Sequence, residues 1–289
     1  MSPPCAVCAS ATVAAGTVDG RVQRRTFHLR HCPGCGYSFV ADPVEDLGAI
    51  YSLDYYRGDG ADPLVDYYFE LDHPRRTIRS YEWRGIQRAV AARRALAPDT
   101  RWLDFGCGNG GLVRHVAAHS GCAIVGWDDG AIVDEARGRG IPILQDDELE
   151  DAGPFDVITA IEVLEHVADP RAALARIGAL LSPGGVFFYT TGNAQPFANR
   201  LPSWSYVVPE LHVSFYEPRT MDRLLRGAGL VPTTQTLEGW DDIYWFKLLK
   251  NLRLRRRTTL TDHAPRRQLA RLLERRFQLA ALPSAVAPS

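Results

Sequence analysis

Short apolar runs alternate with amphipathic stretches through the middle of the chain. In order, these segments are predicted as strand 101–105, helix 110–119, strand 122–127, helix 130–138, strand 141–145, strand 155–161, helix 170–181 and strand 186–191. A helix at 218–228 and a strand at about 230–237 follow. Strands that alternate with helices in this way form a parallel sheet with helices on both faces. The pattern therefore predicts an α/β domain over residues 98–237.

The first 45 residues follow a different pattern, in which cysteines come in two pairs, Cys5-x-x-Cys8 and Cys32-x-x-Cys35. The segment between the pairs predicts a short β-hairpin, because it combines an Asp-Gly turn signal with alternating apolar positions. Zn²⁺ prefers four ligands in a tetrahedron, and a two-residue spacer lets one tight turn present two thiolates. Four cysteines would close the coordination shell, so we expect a structural zinc ion. Two disulfides or free thiols are the alternatives.

Residues 46–97 are predicted to form a helical cap next to the α/β domain. The first half of this segment is rich in tyrosine, and a helix is predicted over about 77–96. Tyrosine rings can stack on a substrate and exclude water from it. The candidates for such a lid are Tyr55, Tyr56, Tyr67 and Tyr68. The alternative is that these side chains only pack between the N-terminal module and the main domain.

The composition is that of a globular protein, since 46% of the 289 residues are hydrophobic. No stretch approaches the roughly 20 uninterrupted apolar residues of a membrane helix, and the N-terminus lacks the pattern of a signal peptide. We therefore expect a soluble, cytoplasmic protein. The formal net charge of −1 gives no general argument for a nucleic-acid partner.

The C-terminal extension, residues 238–289, is predicted to be basic and helical. Residues 250–276 carry ten Lys or Arg against two acids. The stretch GWDDIYWFKLLKNL predicts a helix, whereas the ending ALPSAVAPS is too weak to predict a strand, which leaves the last strand of the sheet in doubt. The basic segment could dock on its own domain, contact a membrane peripherally or bind nucleic acid.

The sequence WLDFGCGNGG, residues 102–111, predicts a strand that runs into a glycine-rich turn. Its glycines match G-x-G-x-x-G, and such a turn can hold either the pyrophosphate of a dinucleotide or the methionine part of S-adenosylmethionine. Asp104 favours the second, because a carboxylate repels phosphate and attracts an ammonium and a sulfonium. Asp128, about 20 residues after the glycines, suits the ribose hydroxyls of either cofactor.

Four segments together resemble the class I S-adenosylmethionine-dependent methyltransferases throughout residues 100–236, namely LDFGCGNGG, VGWD, FDVITAIEVLEHVADP and LLSPGGVFFYTT. The paired cysteines and the Tyr-rich segment extend the resemblance to the zinc-ribbon methyltransferases of polysaccharide and secondary-metabolite pathways, which include sugar C-methyltransferases. The resemblance implies a Rossmann-like sheet, S-adenosylmethionine as cofactor, a structural zinc ion and a small-molecule substrate.

The resemblance also implies which residues bind the cofactor. The methionine moiety would be bordered by Asp104, Gly106, Cys107 (through its backbone), Gly108, Gly110, Ile161 and Glu162. The ribose would be held by Asp128, with assistance from Asp129. Asp146 or Asp147 would bind the adenine amino group.

His212, in PELHVSFYEP, is the candidate general base, because methyl transfer to a hydroxyl, amine or carbon acid requires removal of a proton. HVSFY aligns with HLSYF in the sugar C-methyltransferases, while Leu211 and Pro209 replace a glutamate and a tyrosine of that family. Deprotonation of carbon needs more assistance than deprotonation of a hydroxyl, so the loss of these two residues weakens the case for C-methylation. O-methylation is therefore favoured over C- or N-methylation. Further catalytic candidates are Glu162, His166, Tyr55 and Tyr56. Glu165 and His166 follow the strand predicted at 155–161 and could both be catalytic. The alternative for these two residues is a helix cap or a surface pair.

Two other functions stay open. An RNA methyltransferase or nucleic-acid-binding protein could use the zinc module and the basic segment as a phosphate-binding surface, and would show a steep salt dependence of RNA binding. An NAD-dependent oxidoreductase could use the same glycine motif. A thermal-shift comparison would distinguish the two, because NADH would stabilise an oxidoreductase and S-adenosylhomocysteine a methyltransferase.

Overall fold

The computed structural model describes residues 3–46, 48, 50–60, 62, 66–233, 239–257 and 285–286. In chain order, its strands are β1 (Val13–Asp19), β2 (Thr26–His31), β3 (Ser38–Val40), β4 (Arg101–Phe105), β5 (Ala123–Trp127), β6 (Phe155–Ile161), β7 (Leu181–Thr190), β8 (Ser214–Phe215), β9 (Val231–Pro232) and β10 (Ala285–Val286). The helices are α1 (Leu53–Arg57), α2 (Tyr67–Asp72), α3 (Arg79–Ala91), α4 (Gly111–Ser120), α5 (Ile132–Gly138), α6 (Asp146–Ala152), α7 (Pro170–Leu180), α8 (Pro218–Gly227) and α9 (Trp240–Asn251).

The larger sheet has six strands in the order β5-β4-β6-β7-β10-β9. The four strands β5, β4, β6 and β7 are parallel neighbours. The side chains of β4, β6 and β7 are mostly buried on both faces, and Ile158, Phe187 and Phe188 are all 0% exposed. Burial of both faces is typical of a parallel sheet covered by helices. The α/β, Rossmann-like fold predicted from the sequence is confirmed.

The strand predicted at 141–145 is reduced to one isolated parallel bridge between Gly126 and Ile143. Its two hydrogen bonds run from Gly126 N to Pro142 O, at 2.9 Å, and from Leu144 N to Gly126 O, at 2.8 Å. Pro142 has no N–H to donate, and α6 begins at Asp146, so the ladder cannot extend. The prediction of a full strand here was wrong.

The sequence SPGG, residues 182–185, ends α7 as predicted but lies inside β7. The pairing of β7 with β6 jumps from Phe155–Leu181 to Val157–Val186, so the extra residues form a bulge in β7. At the other end of α7, the Asp169 side chain accepts hydrogen bonds from two backbone N–H groups of the first turn, as its predicted role of N-cap requires.

Strand β10, the last one along the chain, is a two-residue segment of the ending ALPSAVAPS, for which the sequence predicts no strand. It pairs antiparallel with β7, through Ala285–Phe187 and Val286–Val186, and antiparallel with β9 on its other side. Because a strand with neighbours on both sides bonds through both of its edges, even two residues can be held there. The strand predicted at 230–237 is Val231–Pro232, and residues 234–238 lie outside the described residues.

The smaller sheet is antiparallel, in the order β1-β2-β3-β8. The hairpin predicted between the cysteine pairs is β1 and β2. Its fourth strand, β8, comes from the segment immediately after His212. Tyr37 OH lies 2.7 Å from Ser214 Oγ, and Thr220 Oγ1 donates to Cys35 O at 2.8 Å. The N-terminal module is thus joined to the chain segment that carries His212.

The extension begins with helix α9, as predicted, and α9 packs against α3. None of the helices in the described ranges is both long and apolar enough to cross a membrane. The basic segment predicted to contact a membrane or nucleic acid, residues 250–276, lies outside the described residues from position 258 onward. Its role therefore stays a prediction.

Candidate active site

The carboxyl ends of β4, β5, β6 and β7 open into a cleft of about 1510 Å³. Ligands of open α/β sheets bind at this edge. The cleft is larger than the roughly 300–1,000 Å³ of a typical small-ligand pocket, so it has room for two molecules. We call residues 104–111 and 127–130 the glycine side, and residues 162–166, 204–212 and 247 the histidine side.

The turn on the glycine side requires glycine at its first position. Gly106 has φ +73, and a Cβ there would lie 2.5 Å from Val163 Cγ2. Gly106 N and Cys107 N both donate to Trp127 O, at 2.7 and 3.0 Å, so the turn is fixed to the end of β5. The Cys107 thiol packs against Gly126. The turn therefore presents backbone to the cleft.

Asp128 connects the turn to the segment after β5. Its two carboxylate oxygens accept from Gly108 N at 2.8 Å and from Gly130 N at 2.7 Å. Burial raises the pKa of Asp128, and these two N–H donors oppose the rise. Asp128 and Asp129 both line the cleft. The carboxylate is held in position by backbone, and its remaining lone pairs can accept hydroxyl groups of a ligand.

Asp104 lies behind the turn, at the end of β4, and is 4% exposed. Its Oδ1 accepts from Thr159 Oγ1 at 2.7 Å. Burial is the main cause that raises the pKa of Asp104 to about 7. A cationic ligand group next to this carboxylate would favour its charged form.

The two acids predicted to bind adenine lie at the start of α6. Asp146 Oδ1 accepts from Trp127 Nε1 at 2.8 Å, which ties it to a residue that lines the cleft. Asp146 and Asp147 are both exposed, and neither is among the described residues that line the cleft. Gly106, Gly108, Ile161 and Glu162 do line it.

The histidine side is built around two glutamates that follow β6, of which Glu165 is buried and Glu162 is half-buried. Glu162 has φ +55, a strained backbone for a residue with a side chain, which is typical of functional sites. Its Oε1 lies 2.6 Å from Lys247 Nζ, and its Oε2 lies 3.2 Å from Tyr206 OH. Burial would raise the pKa of Glu162, but Lys247 and then Lys250 lower it.

Glu165 is 0% exposed and shares Tyr206 with Glu162. Tyr206 OH donates a short hydrogen bond to Glu165 Oε1, and Thr191 Oγ1 donates to Oε2 at 2.8 Å. Burial, and then the charge of Glu162, raises the pKa of Glu165 to about 8. Neither a helix cap nor a surface pair describes Glu165, so both of those alternatives fail.

The two histidines of this side face each other, with ring centroids 4.8 Å apart. His212 Nδ1 lies 2.6 Å from Tyr206 O, and His166 Nδ1 lies 3.0 Å from Leu211 O. Burial lowers the pKa of His212 to about 3 and that of His166 to about 4. Both rings are therefore neutral near pH 7.

Four tyrosines of the segment before β4 line the cleft. Tyr55 and Tyr56 line it with Tyr51 and Tyr67, and successive rings lie 5.0, 5.4 and 5.9 Å apart. Tyr51 OH lies 2.9 Å from His166 Nδ1. Tyr68, in contrast, does not line the cleft and packs beneath the guanidinium of Arg57.

The sequence reasoning missed Lys247, Tyr206 and Tyr51. For Lys247 there was a signal, because a lone cation in the apolar stretch IYWFKLL of a buried helix usually has an acidic partner. No local pattern singled out Tyr206 or Tyr51.

The four paired cysteines form one cluster, with each Sγ within 4.8 Å of the others. Cys5 Sγ lies 3.5 Å from Cys35 Sγ, and Cys8 Sγ lies 3.5 Å from Cys32 Sγ. A disulfide would bring two sulfurs to about 2.05 Å. Four thiolates at about 2.3 Å from one ion are about 3.8 Å apart, so the cluster fits a tetrahedral Zn²⁺.

The sequence profile of a family described as "Methyltransferase domain" matches residues 75–235, more than half of the chain. The chain belongs to this methyltransferase family. Its identification from the sequence as a class I S-adenosylmethionine-dependent methyltransferase is confirmed.

Relatives of this methyltransferase include ubiquinone biosynthesis O-methyltransferases. The one from Xanthomonas campestris pv. campestris (strain B100) is 31% identical over 146 residues, which are 47% of this chain and 60% of the relative. The one from Xanthomonas axonopodis pv. citri (strain 306) is 30% identical over 186 residues, 58% of this chain and 77% of the relative. The chain thus spans about 60% of the length of the first relative.

Among solved structures, human N-acetylserotonin methyltransferase in complex with SAM is similar to this chain with a TM-score of 0.48 and 20% identity. The match covers 68% of this chain and 56% of the human one.

Proposed function

We propose that this methyltransferase transfers a methyl group from S-adenosylmethionine to a hydroxyl oxygen of a small molecule in the cytoplasm. The observation that carries the proposal is the two-sided cleft, in which a backbone turn with a fixed carboxylate faces a cluster of neutral histidines. Two relatives at 30–31% identity are named O-methyltransferases, which supports oxygen as the methylated atom.

The glycine side would hold the cofactor, which supplies a methyl group on a sulfonium when bound. Asp128 would accept the ribose hydroxyls, because Gly108 N and Gly130 N already fix its orientation. The turn at Gly106 lets the ligand approach backbone without meeting a Cβ. Asp104 would favour the positively charged end of the ligand from behind the turn.

His212 is the proposed general base. A carbonyl oxygen can only accept a hydrogen bond, so the contact with Tyr206 O requires the proton on Nδ1 and leaves the lone pair on Nε2. With its pKa lowered to about 3 by burial, the ring is unprotonated at neutral pH. Its lone pair is therefore free to accept a proton from a hydroxyl in the cleft, but the same burial makes the ring a weaker base. A bound ligand must raise the pKa of His212 toward neutral for the transfer to be efficient.

The cysteine cluster would hold a structural Zn²⁺. Its second knuckle contacts α8 through Thr220 Oγ1 and Cys35 O, and β3 pairs with β8 directly after His212. The ion would thereby fix the loop that carries the proposed base. The cluster takes no part in the transfer, since four thiolates leave no open position.

Methyl transfer can be measured with a panel of phenols, sugars and amines by mass spectrometry. We expect a product heavier by about 14 Da and an equal amount of S-adenosylhomocysteine. His212→Ala should lower turnover roughly 100-fold, the size of a general-base contribution, while S-adenosylmethionine affinity changes little. Unchanged turnover would remove His212 as the base. Methylation of RNA alone would contradict the small-molecule assignment.

A further inference from the structure

Three side chains of the histidine side can bind a metal ion together: Glu165, His166 and His212. One ligand atom of each lies within 4.8 Å of the others. Neighbouring ligands of a divalent ion, each about 2.1 Å from it, are roughly 3 Å apart. Closing these separations by up to about 2 Å, with both Nε2 atoms turned toward the Glu165 carboxylate, would place all three residues on one ion. All three residues line the cleft, so an ion bound there would be open to a substrate.

The hydrogen bonds of both rings prepare Nε2 as the ligand atom. His212 Nδ1 donates to Tyr206 O, and His166 Nδ1 donates to Leu211 O. Tyr51 OH, 2.9 Å from the same His166 Nδ1, can accept from this N–H as well. Metal-binding histidines in proteins commonly donate their second nitrogen to a carbonyl or carboxylate, which fixes the ring and directs the lone pair at the metal. Two neighbouring histidines share this arrangement here, and their rings are nearly perpendicular, at 79°.

The carboxyl group is oriented in the same way. Tyr206 OH donates to Glu165 Oε1 and Thr191 Oγ1 donates to Oε2. Glu165 is 0% exposed and close to the second acid, Glu162, which already has Lys247 as its partner. A divalent cation would provide the compensating charge that a second buried carboxylate needs.

We propose that Glu165, His166 and His212 bind one divalent transition-metal ion, of the class of Mn²⁺, Fe²⁺ or Zn²⁺, which holds the acceptor hydroxyl. Two imidazoles and one carboxylate suit these metals and leave coordination positions open. This site is separate from the cysteine cluster, whose four thiolates suit Zn²⁺.

The inference rests on the proposed function and changes one role in it. An ion at this position lowers the pKa of a bound hydroxyl. The proton then passes to solvent, the hydroxyl oxygen bonds to the methyl carbon, and the carbon–sulfur bond breaks with its electron pair left on sulfur. His212 then acts as a ligand, and the proton no longer needs its Nε2.

The test uses the full chain with zinc retained at the cysteines, one per chain by elemental analysis. Mn²⁺ is titrated in, and the free ion is measured by electron paramagnetic resonance. Mn²⁺ is a hard probe that competes poorly for thiolates. We expect one Mn²⁺ per chain with a Kd on the order of 10 µM. The bound ion should show ¹⁴N couplings from two imidazoles.

Two variants and one control decide the result. Glu165→Gln keeps the shape of the side chain, and His166→Ala removes one ring, so each should raise the Kd for Mn²⁺ at least 10-fold. His119→Ala, on the exposed face of α4, should leave it unchanged. Binding of S-adenosylhomocysteine by each variant shows that it is folded.

Mn²⁺ binding that is absent in the wild type, that survives Glu165→Gln and His166→Ala, or that lacks ¹⁴N coupling overturns the metal site. If S-adenosylhomocysteine still binds the wild type in that case, the proposed methyl transfer stands and only the metal falls. A wild type that binds Mn²⁺ but not S-adenosylhomocysteine would contradict the proposed function and leave the metal site intact.

Discussion

The glycine side and the histidine side of the cleft are built in different ways. The glycine side is local and made mainly of backbone, since its turn and Asp128 lie within about 25 residues of one another. The histidine side brings side chains together from β6, the loop before β8 and α9, and Glu162 and Lys247 are 85 positions apart. A local site such as the glycine side suits a cofactor that a whole family shares. A site assembled from distant segments, such as the histidine side, can change with the acceptor.

The largest expected effect comes from a substitution that disrupts the glycine side. Asp128→Ala removes the acceptor of two N–H groups and of the ribose hydroxyls. Because hydrogen bonds to a charged group contribute about 1.5–3 kcal/mol each, we expect S-adenosylhomocysteine affinity to fall roughly 100-fold. Isothermal titration calorimetry measures this. Asp134→Asn, an exposed acid on α5, is the matched control and should bind as the wild type does.

A second prediction separates backbone strain from contact with the cleft. Gly106 and Gly184 have φ +73 and +70, but a Cβ would meet Val163 only at Gly106, with nothing within 4 Å at Gly184. Gly106→Ala should weaken S-adenosylhomocysteine binding about 10- to 30-fold. Gly184→Ala should only lower the free energy of unfolding, by about 1–2 kcal/mol. Equal loss of binding in both variants would show that strain alone explains the effect.

The smallest effect concerns the histidine side. Lys247→Met keeps the length of the side chain but removes the partner of Glu162, 2.6 Å away. We expect turnover to fall about 5- to 10-fold through the disturbed Glu162–Tyr206–Glu165 network, with a change of less than about 3-fold in S-adenosylhomocysteine affinity. Arg226→Met, on the exposed side of α8 and paired with Asp222, controls for the loss of positive charge and should leave both turnover and affinity unchanged. A larger change in affinity than in turnover would place Lys247 on the cofactor.

The sequence predicted the glycine side because its signals are local. A buried strand, a glycine turn and an acid at a fixed spacing can all be recognised without knowledge of the fold. Asp104, Gly106 and Asp128 occupy the end of β4, the turn and the end of β5, where their pattern indicated, and their roles in binding the cofactor stay predictions.

The histidine side depends on contacts between distant segments. The sequence alone does not decide whether Glu165 is catalytic, a helix cap or part of a surface pair. Its contacts with Tyr206 and Thr191, which come from distant positions in the chain, show that it is a buried acid. Lys247 lies in the predicted helix GWDDIYWFKLLKNL, for which the sequence names no partner, and α9 brings it to Glu162. The strand β10 was also unpredictable, because two residues have no period and their pairing comes entirely from β7 and β9.

The N-terminal module shows a third kind of dependence. Its cysteine spacing predicted the cluster of four thiols, but nothing in residues 1–45 indicated that β8 would complete its sheet. The predicted boundary between module and catalytic domain stays a prediction, and the contacts across it include Tyr37 with Ser214 and Glu210 with the backbone at Val22. The loop that carries His212 is therefore held from both sides.

The most direct test of the central claim is the affinity of the wild-type chain for S-adenosylhomocysteine and for NADH, measured by isothermal titration calorimetry. The account predicts that S-adenosylhomocysteine binds one per chain, with a Kd on the order of 1–10 µM, and that NADH gives no heat above dilution. Binding of NADH, or no binding of S-adenosylhomocysteine by a chain that unfolds cooperatively, would contradict it.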